Sequence, residues 1–259
     1  MASLSINNVT LEFSDRKQPT VTALDDLSLD IPDRQFEVIV GPSGCGKSSL
    51  LYLLAGLSEP TSGECRIDGK LIEEPGADRG MVFQSYTLFP WLTVRKNIEF
   101  GPRLRGMTVS DCANTVDRFL RYMHLEDFGD YYPNQLSGGM RQRVALARTF
   151  ANDPKVLLMD EPFGALDSQT RTVMQELLLD IWNKDQKTVL FVTHDIDEAL
   201  LLGNKVHVMS ARPGQIIETI DVEVKGPRKV ELITSDYFVE HKRRIMGLLH
   251  DEVIKAMKS

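Results

Sequence analysis

The sequence predicts an α/β protein whose parallel sheet is covered on both faces. Short apolar, β-branched runs alternate with segments of helical periodicity, a pattern typical of strands joined by crossover helices. One such run, residues 36–40, leads straight into a glycine-rich loop and then into a helix. From about residue 86 to 152 only helical patterns occur, so we expect a helical insertion there.

Further strands are predicted on both sides of the glycine-rich loop. Residues 4–13 alternate loosely between apolar and polar side chains and are typical of an edge strand. Residues 21–31 predict another pair of strands, and residues 64–69 predict a strand with a hairpin. Later strands are expected at residues 81–83, 156–159, 188–193 and 206–209.

Three predicted helices carry specific expectations. Within the insertion, Ser110 is a candidate N-cap. A helix at residues 169–184 is expected to turn four apolar residues inward. These residues are Val173, Leu177, Ile181 and Trp182. A closing helix is expected at residues 236–258, with a stripe formed by Phe238, Ile245, Leu248, Leu249 and Val253.

The length and composition restrict the possible functions. The chain has 259 residues, enough for one α/β domain with an insertion and a sizeable core. A net charge of −7 argues against a nucleic-acid groove, so no nucleic-acid partner is expected. Without an apolar run of bilayer length or a signal-peptide pattern, we expect no membrane crossing and no export. Three cysteines without metal-ligand spacing suggest reduced thiols in a cytosol.

The glycine-rich loop predicts a phosphate-binding site. It matches the pattern G-x-x-x-x-G-K-[ST] and consists of Gly41, Pro42, Ser43, Gly44, Cys45, Gly46, Lys47, Ser48 and Ser49. Glycines let successive backbone N–H groups face an anion, and the following helix would present its positive N-terminus. Lys47 would supply charge to the β- and γ-phosphates, and the Ser48 hydroxyl suits Mg²⁺. Bound phosphates should then shield Cys45 from a thiol alkylator.

An acidic pair closes the predicted strand at residues 156–159. In a protein with this phosphate loop, a carboxylate at the end of a buried strand lies where Mg²⁺ binds, so Asp160 is the predicted metal ligand. Glu161 comes one residue later, points differently, and is predicted to act as general base toward an attacking water. Taken alone, the pair is also compatible with an acidic strand end that faces solvent.

A second helix N-terminus also has the features of an anion site. Ser137 is placed to cap this helix, and Gly138 and Gly139 leave its first amides open. Because the first loop already holds one triphosphate, this end is predicted to serve a nucleotide bound by another subunit. A plain capped helix fits the same stretch.

Three more side chains fit either a role in the nucleotide site or an ordinary position on the surface or in the core. His194 directly follows a strand, where it could donate to the γ-phosphate and align with Glu161, although a lone histidine is commonly packed or on the surface. Gln84 ends a strand within reach of Mg²⁺ or the water, or it is a surface residue. Phe13 either stacks on an adenine ring or fills the core.

In this order, the motifs resemble those of the ATP-binding subunits of ABC transporters, over essentially the whole chain. The resemblance implies a P-loop NTPase (RecA-like) core sheet with an antiparallel β subdomain and an inserted helical subdomain. It implies a single ATP-binding domain over residues 1–259. Its expected parts are a core at about 1–85 and 153–222, a helical insertion at about 86–152, and a short C-terminal helical extension at about 226–259.

The resemblance also implies a role for each motif residue. The implied catalytic residues are Glu161, His194 and Lys47. The implied metal ligands are Ser48, Gln84 and Asp160. The loop and Phe13 would bind ATP. The signature residues that would contact a partner's nucleotide are Ser137, Gly138, Gly139 and Met140, and Asp167 belongs to the D-loop at the dimer interface.

Residues 81–94 and 136–143 further resemble the nitrate, sulfonate and taurine group of importers. This implies an ATPase, dependent on ATP and Mg²⁺, that energises uptake of a small oxyanion or organic solute. The implied partners are a second ATP-binding subunit (identical or a paralogue), transmembrane permease subunits and, indirectly, a solute-binding protein. The implied location is peripheral, on the cytoplasmic face of a prokaryotic inner membrane. The alternative function is a nucleotide-gated scaffold subunit with incidental hydrolysis.

An aromatic-rich run and three departures from the family pattern complete the comparison. The run Tyr86, Leu88, Phe89 and Trp91 fits either an exposed groove for a permease helix or core filling. Met140 replaces the usual signature glutamine, as is common in this importer group. Phe13 stands where tyrosine or tryptophan usually stacks, which affects the expected adenine affinity. Arg34 occupies a turn position usually held by glycine, and the sequence does not explain it.

Overall fold

Two β-sheets form the centre of the protein in the computed structural model, which describes residues 2–15, 18–224 and 226–258. The strands are β1 (Leu4–Asp15), β2 (Gln18–Ile31), β3 (Phe36–Val40), β4 (Ser62–Ile67), β5 (Lys70–Leu71), β6 (Arg79–Val82), β7 (Val156–Asp160), β8 (Thr188–Thr193), β9 (Lys205–Met209) and β10 (Ile216–Asp221). The helices are α1 (Lys47–Ala55), α2 (Val94–Leu104), α3 (Val109–Tyr122), α4 (Gly138–Ala151), α5 (Ser168–Asp185), α6 (Ile196–Leu202) and α7 (Asp236–Lys258). Short 3-10 turns lie at Glu126–Phe128, Pro133–Gln135 and Val230–Thr234.

The larger sheet is mostly parallel, as the alternation of strands and helices predicted. Its strand order is β10-β9-β3-β8-β7-β6, and only β10 runs antiparallel to its neighbour. The smaller sheet is antiparallel, in the order β2-β1-β4-β5. The carboxyl ends of β3, β7 and β8 therefore meet at one edge of the larger sheet, where ligands bind in folds of this kind.

Both faces of the larger sheet are buried because its central strands are continuous apolar runs. Along β3, Val38 and Val40 face a core shared with the insertion, α5 and α6, whereas Ile39 faces a core shared with α1 and the antiparallel sheet. This alternation is the period of two expected for a strand. Within the described residues, no helix is both long and apolar enough to cross a bilayer.

Helices α2, α3 and α4 lie between β6 and β7 in the chain. The segment before α2 is fixed by Asn97, whose buried side chain accepts from the Phe89 N–H at 2.9 Å and donates to three carbonyl oxygens. Those carbonyls belong to Phe89, Leu92 and Thr93. One buried amide thus holds a loop of aromatic residues on the insertion.

Several sequence predictions about single positions were wrong. Strand β1 is not an edge strand, because it pairs with both β2 and β4. The N-cap of α3 is Thr108, which accepts from the Asp111 N–H at 3.2 Å, and not Ser110. Val173 on α5 is 58% exposed, whereas Met174 is buried, so the apolar face is rotated by one position. On α7, Val253 is 38% exposed.

The turn between β2 and β3 accounts for Arg34. This residue has a φ of 60°, in the left-handed region that favours glycine. Its N–H donates to Oγ1 of Thr188 at 2.9 Å, which joins the turn to the start of β8. A glycine would adopt this backbone without strain, whereas Arg34 is held there by the hydrogen bond and the adjoining strands.

Candidate functional site

The glycine-rich loop connects β3 to α1 with its backbone turned inward. Gly44 and Gly46 have φ values of 79° and 108°, which only glycine adopts freely. A Cβ atom at Gly46 would lie 2.7 Å from Cδ2 of Leu24 and 2.8 Å from the Ala23 carbonyl oxygen. Gly46 also stands at the N-cap of α1 without a capping side chain, so the first amides of that helix are open to an anion.

A cavity of about 370 Å³ lies over this loop. One part of its wall comes from the antiparallel sheet and is apolar, with Phe13, Val21 and Ala23. Phe13 and Val21 are paired across β1 and β2, and the Phe13 ring is 54% exposed. The rest of the wall consists of Ser43, Gly44, Gly46, Lys47, Ser48, Ser49, Gln84, Glu161 and Arg212. The predicted base end and phosphate end therefore share one cavity.

Lys47 is buried beneath the loop that it belongs to. Its ammonium donates to the carbonyl oxygens of Gly41 at 2.8 Å and Pro42 at 3.0 Å. The same Nζ lies 3.8 Å from Oε1 of Glu161. The lysine thus joins the start of α1 to the acidic end of β7.

Ser48, at the start of α1, meets Asp160 at the end of β7. The Ser48 hydroxyl donates to Oδ1 of Asp160 at 2.8 Å. Burial raises the pKa of Asp160, a negative charge at Glu161 adds to this, and the hydrogen bond from Ser48 opposes it. A cation beside Asp160 would compensate for the cost of burying this carboxylate.

The donor atoms near Asp160 fit Mg²⁺. A hydroxyl, a carboxylate and the amide of the cavity-lining Gln84 are oxygen donors, which this ion prefers. No group of three or more His, Cys, Asp or Glu side chains able to hold a metal occurs in the part of the chain that the structure describes. This sparse set is typical of Mg²⁺ sites in which substrate phosphates supply much of the coordination.

Glu161 lies between a lysine and a histidine. Strands β7 and β8 are parallel neighbours, so His194, just beyond β8, reaches Oε2 of Glu161 with Nδ1 at 2.9 Å. Glu161 also has a φ of 42°, unusual for a residue with a side chain. Such strain persists where the surrounding structure enforces it, often at functional sites. Backbone hydrogen bonds to Val192 and Gly164 hold Glu161 in this conformation.

The second predicted anion site has a cavity of its own. Ser137 caps α4 by accepting from the Met140 N–H at 3.3 Å. Asp167 caps α5, accepting from the Thr170 N–H at 3.0 Å, and hydrogen bonds from Thr170 lower the pKa of this carboxyl. Both caps line a cavity of about 740 Å³, and none of the described residues lines both this cavity and the first. Gly138, Gly139, Met140 and the exposed Val173 line it as well.

Cys45 differs from its sequence-based expectation. Its side chain is buried in the core beneath the loop, and burial raises the pKa of its thiol. It does not line the cavity over the loop. Alkylation of Cys45 therefore cannot report on nucleotide binding in the way expected from the sequence, because the reagent reaches the thiol poorly in either case.

The sequence analysis missed Arg212. This residue follows β9, donates from Nε and Nη2 to the Gly44 carbonyl oxygen at 3.3 and 3.1 Å, and lines the first cavity. A signal was present in the sequence, because β9 is parallel to β3 and the Arg-Pro-Gly turn at residues 212–214 begins near its carboxyl end.

The fold and the site together define a nucleotide-binding protein of the P-loop NTPase class. A family model described as ABC transporter matches residues 24–164. The chain belongs to the ABC transporter family, and its sequence places it among the ATP-binding subunits.

Relatives with closely similar sequences carry consistent names. An uncharacterized ABC transporter ATP-binding protein of Methanocaldococcus jannaschii is 49% identical over 98% of this chain and 94% of its own. The nitrate import ATP-binding protein NrtD of Synechocystis is 50% identical over 81% of this chain and 79% of its own. The taurine import ATP-binding protein TauB of Jannaschia is 43% identical over 97% of this chain and 95% of its own.

A solved structure confirms the fold class. It is a dimeric, post-hydrolysis state of an ATP-binding cassette bound to ADP and Pi, with a TM-score of 0.76 and 33% sequence identity. The match covers 86% of this chain and all of that one. The predicted P-loop core with an antiparallel sheet and inserted helices is therefore confirmed.

Proposed function

We propose that this chain is the ATP-hydrolysing subunit of an ABC importer and that it works as a head-to-tail dimer. The observation that carries the proposal is a pair of unlike half-sites on one chain. The loop with Ser48–Asp160 and Glu161–His194 contacts lines one cavity, and the capped start of α4 lines another. One half-site has the phosphate loop with the catalytic residues, and the other has the signature helix. Two chains in head-to-tail contact therefore complete two nucleotide sites.

The residues of the loop bind and polarise the triphosphate. Lys47 and the open amides of α1 hold the β- and γ-phosphate oxygens, where negative charge accumulates during transfer to water. Ser48, Asp160 and Gln84 would hold Mg²⁺, which would supply positive charge to the phosphate oxygens. Phe13 supplies an exposed ring on which the adenine base stacks.

Glu161 acts as the general base. Its carboxylate accepts the proton of the attacking water, while His194 holds Oε2 and orients the group. Lys47, whose Nζ lies 3.8 Å from Oε1, holds the other side of the carboxylate in place. Across the dimer, Ser137, Gly138, Gly139 and Met140 of one chain contact the nucleotide of the other, and Asp167 lies at the contact between the two chains.

The insertion carries the contact with the permease. Trp91 is 71% exposed, and its ring lies 5.7 Å from that of Phe89, which in turn lies 4.6 Å from Phe100. Tyr86, Leu88 and Phe89 are half-buried, so the exposed part of the predicted run is Trp91 with neighbouring α2 residues. Such an aromatic patch suits a helix end of a membrane partner.

The names of the relatives support the class of solute that we propose is transported. A nitrate importer and a taurine importer subunit are both similar to this chain over most of its length, which favours a small oxyanion or organic solute. A separate solute-binding protein selects that solute, and the cassette lies at the cytoplasmic face of the inner membrane. We assign the whole chain to one ATP-binding domain. In it, the insertion at about residues 86–152 is the part that moves with the permease.

The substitution Glu161→Gln tests the proposal. The amide keeps the shape of the side chain but cannot accept a proton, so hydrolysis should fall about a hundredfold or more. ATP binding should persist, and the variant should form a stable dimer in saturating Mg-ATP, measured by light scattering after size-exclusion chromatography. Glu176→Gln, on the exposed face of α5, is the matched control and should behave as wild type.

Two results would contradict the proposal. A Glu161→Gln protein that stayed monomeric in ATP, alone and with its permease, would exclude the composite site. Solute uptake that persisted in this variant would favour a scaffold whose hydrolysis is incidental.

A further inference from the structure

Among the described residues that line the first cavity, Arg212 is the one charged side chain without a role in the ATP binding and hydrolysis proposed above. Its guanidinium donates twice to the Gly44 carbonyl, using Nε and Nη2. Among the described residues, no hydrogen bond involves Nη1 of Arg212, and the side chain is exposed on the cavity wall. The planar guanidinium is thus fixed along one edge, and the rest of the group is accessible to a ligand.

The turn that carries Arg212 is anchored to the apolar wall of the cavity. The Gly214 N–H donates to the Ala23 carbonyl at 2.9 Å, and the Gly214 carbonyl accepts from the Asp25 N–H at 3.3 Å. A Cβ at Gly214 would lie only 2.2 Å from the Cys45 carbonyl oxygen. The turn therefore lies against both β2 and the glycine-rich loop, on the side of the cavity that holds Phe13 and Val21.

The turn is also fixed from behind. Ser210 donates to the Pro213 carbonyl at 2.8 Å and accepts from the Gln215 N–H at 2.9 Å. The carboxylate of Glu252, buried on α7, accepts from the Ala211 N–H at 3.1 Å. Arg212 consequently extends from a rigid support, which lowers the entropy cost of holding it against a ligand.

We propose that Arg212 is a nucleotide-binding residue whose guanidinium packs against the adenine base at the Phe13 wall while it holds Gly44. An exposed phenylalanine ring covers only one face of a base, and a guanidinium plane stacks well on aromatic surfaces because it is weakly hydrated. The inference rests on the proposed function, since it assigns a contact to the same ATP.

The test compares ATP with inorganic tripolyphosphate, which has the phosphates but no base. Equilibrium binding of each, with Mg²⁺, is measured by calorimetry for the full chain as wild type, Arg212→Ala and Arg212→Lys. We expect Arg212→Ala to raise the Kd for ATP about three- to tenfold, the range of a partly exposed cation–π contact. Tripolyphosphate binding should not change. The KM for ATP should rise while kcat at saturation stays within about twofold of wild type.

The lysine variant and a control separate the possible roles. Lysine keeps the charge but lacks the planar face, so Arg212→Lys should recover only part of the ATP affinity that Arg212→Ala loses. Arg103→Ala removes another exposed arginine, on α2, which pairs with Glu99 at 3.8 Å, and should leave both affinities unchanged. Thermal denaturation of each variant checks that the fold is retained.

Three other results would overturn the inference that Arg212 packs against adenine. Equal loss of ATP and tripolyphosphate binding would mean that Arg212 only supports the Gly44 loop. Full recovery by lysine would indicate a point charge on a phosphate, and unchanged ATP binding in Arg212→Ala would leave Arg212 without a role. If wild type itself failed to bind ATP, the proposed function would fall instead, so the two failures are distinguishable.

Discussion

At the scale of single residues, Glu161 is constrained from three directions. His194 contacts one carboxylate oxygen at 2.9 Å, Lys47 lies 3.8 Å from the other, and the backbone has a left-handed φ. An extended backbone would aim this side chain elsewhere, because successive residues of a strand point to opposite faces. The left-handed backbone of Glu161 therefore goes together with the placement of its carboxylate between His194 and Lys47.

A pH prediction concerns Glu198, just beyond this site. Burial raises the pKa of its carboxyl, against hydrogen bonds from Thr193 and Gln175 that lower it. The native state thus holds the proton more tightly than the unfolded state, so wild-type stability should fall as pH rises above about 4.5, the ordinary value, until the folded pKa is passed. In Glu198→Gln this loss should be absent.

Thermal denaturation between pH 4 and pH 8, a range chosen to bracket the ordinary carboxyl pKa, measures the effect. Glu198→Gln should match wild type at the acid end and melt at a higher temperature at the neutral end. Glu176→Gln, also a neutralised glutamate, is exposed and should follow wild type throughout. A Glu198→Gln curve parallel to that of wild type would contradict the prediction.

The residues that were predictable from the sequence share one feature, which is their position at a strand end or helix start. The contacts Ser48–Asp160 and Glu161–His194 follow from parallel strands that end at one edge. The burial of Cys45 was not predictable, because it depends on which way a loop residue faces. The position of Arg212 depends on a turn that folds back onto the loop from residues far along the chain.

At the scale of elements, arginines of the signature helix α4 hold the loop after β6. The Arg148 guanidinium donates to the Thr87 carbonyl at 2.8 Å and lies 5.3 Å from the Phe89 ring centre. Arg141 lies 5.1 Å from the ring centre of Tyr86. Arg141 near the start of α4 and Arg148 near its end therefore hold the loop after Gln84 against the helix that carries the second half-site.

Another arginine, Arg171, connects the ends of two other elements. Arg171 on α5 donates to Oδ2 of Asp195 at 3.1 Å and to the Leu166 carbonyl at 3.1 Å. Asp195 follows His194, and Leu166 precedes Asp167. One guanidinium thus fixes the segment after β8 relative to the segment before α5, so the histidine and the second half-site share a support.

Two glycines with opposite surroundings give an element-scale prediction. A Cβ at Gly214 would lie 2.2 Å from the Cys45 carbonyl and 2.4 Å from Cε of Met209, whereas a Cβ at Gly247 on α7 meets nothing within 4 Å. Gly214→Ala should therefore destabilise the protein by about 1–3 kcal/mol. Gly247→Ala should stabilise it by about 0.5–1 kcal/mol, because alanine favours a helix interior.

Urea denaturation of both variants measures the change in the free energy of unfolding. Gly214→Ala should also raise the KM for ATP, because it displaces the turn from the glycine-rich loop. A Gly214→Ala protein with wild-type stability and KM would show that this turn is not packed against the loop in solution.

Whether a segment forms a helix or a strand was predictable, whereas the strands with which it pairs were less so. Alternating apolar runs and helices sufficed for the parallel sheet, because burial on both faces leaves a continuous apolar strand. The pairing of β1 was not encoded in its own pattern, since an edge strand and a central strand can alternate in the same way. The buried face of α5 was predicted one position away from its true place, because Val173 is apolar yet lines the second cavity, where the partner chain is expected.

At the scale of the whole molecule, the two half-sites line separate cavities of one chain. The first is lined by the loop between β3 and α1, the ends of β7 and β9, and the antiparallel sheet. The second is lined by the N-terminal parts of α4 and α5. A single chain does not bring Ser137 to the cavity over the loop, so only a second chain can do so. The dimeric state of the related solved cassette is consistent with this requirement.

Complementation between two defective chains gives the most direct prediction. Lys47→Ala removes the charge beneath the glycine-rich loop, and Ser137→Glu places a negative charge where the partner's γ-phosphate is expected. A carboxylate at this helix N-terminus favours the helix, so Ser137→Glu should fold. Each variant alone has the same defect in both sites of its dimer and should hydrolyse ATP at background rates.

In a mixed dimer the two defects fall on one site, because that site joins the loop of one chain to the signature helix of the other. The second site is then intact. An equal mixture contains about one half mixed dimers, each with one of two sites working, so hydrolysis should recover to about a quarter of the wild-type rate.

The control is a mixture of Lys47→Ala with a double variant that carries both substitutions, which leaves no intact site in any dimer. Its rate should remain at background, while Ser137→Thr, which keeps the capping hydroxyl, should retain activity alone. Activity of Ser137→Glu without mixing would mean that each chain hydrolyses ATP on its own loop. An equal rate in the control mixture would mean that the recovered turnover does not come from an intact loop paired with an intact signature helix. Because mixing changes only which half-sites face each other, recovered turnover has no source other than a nucleotide shared by two chains.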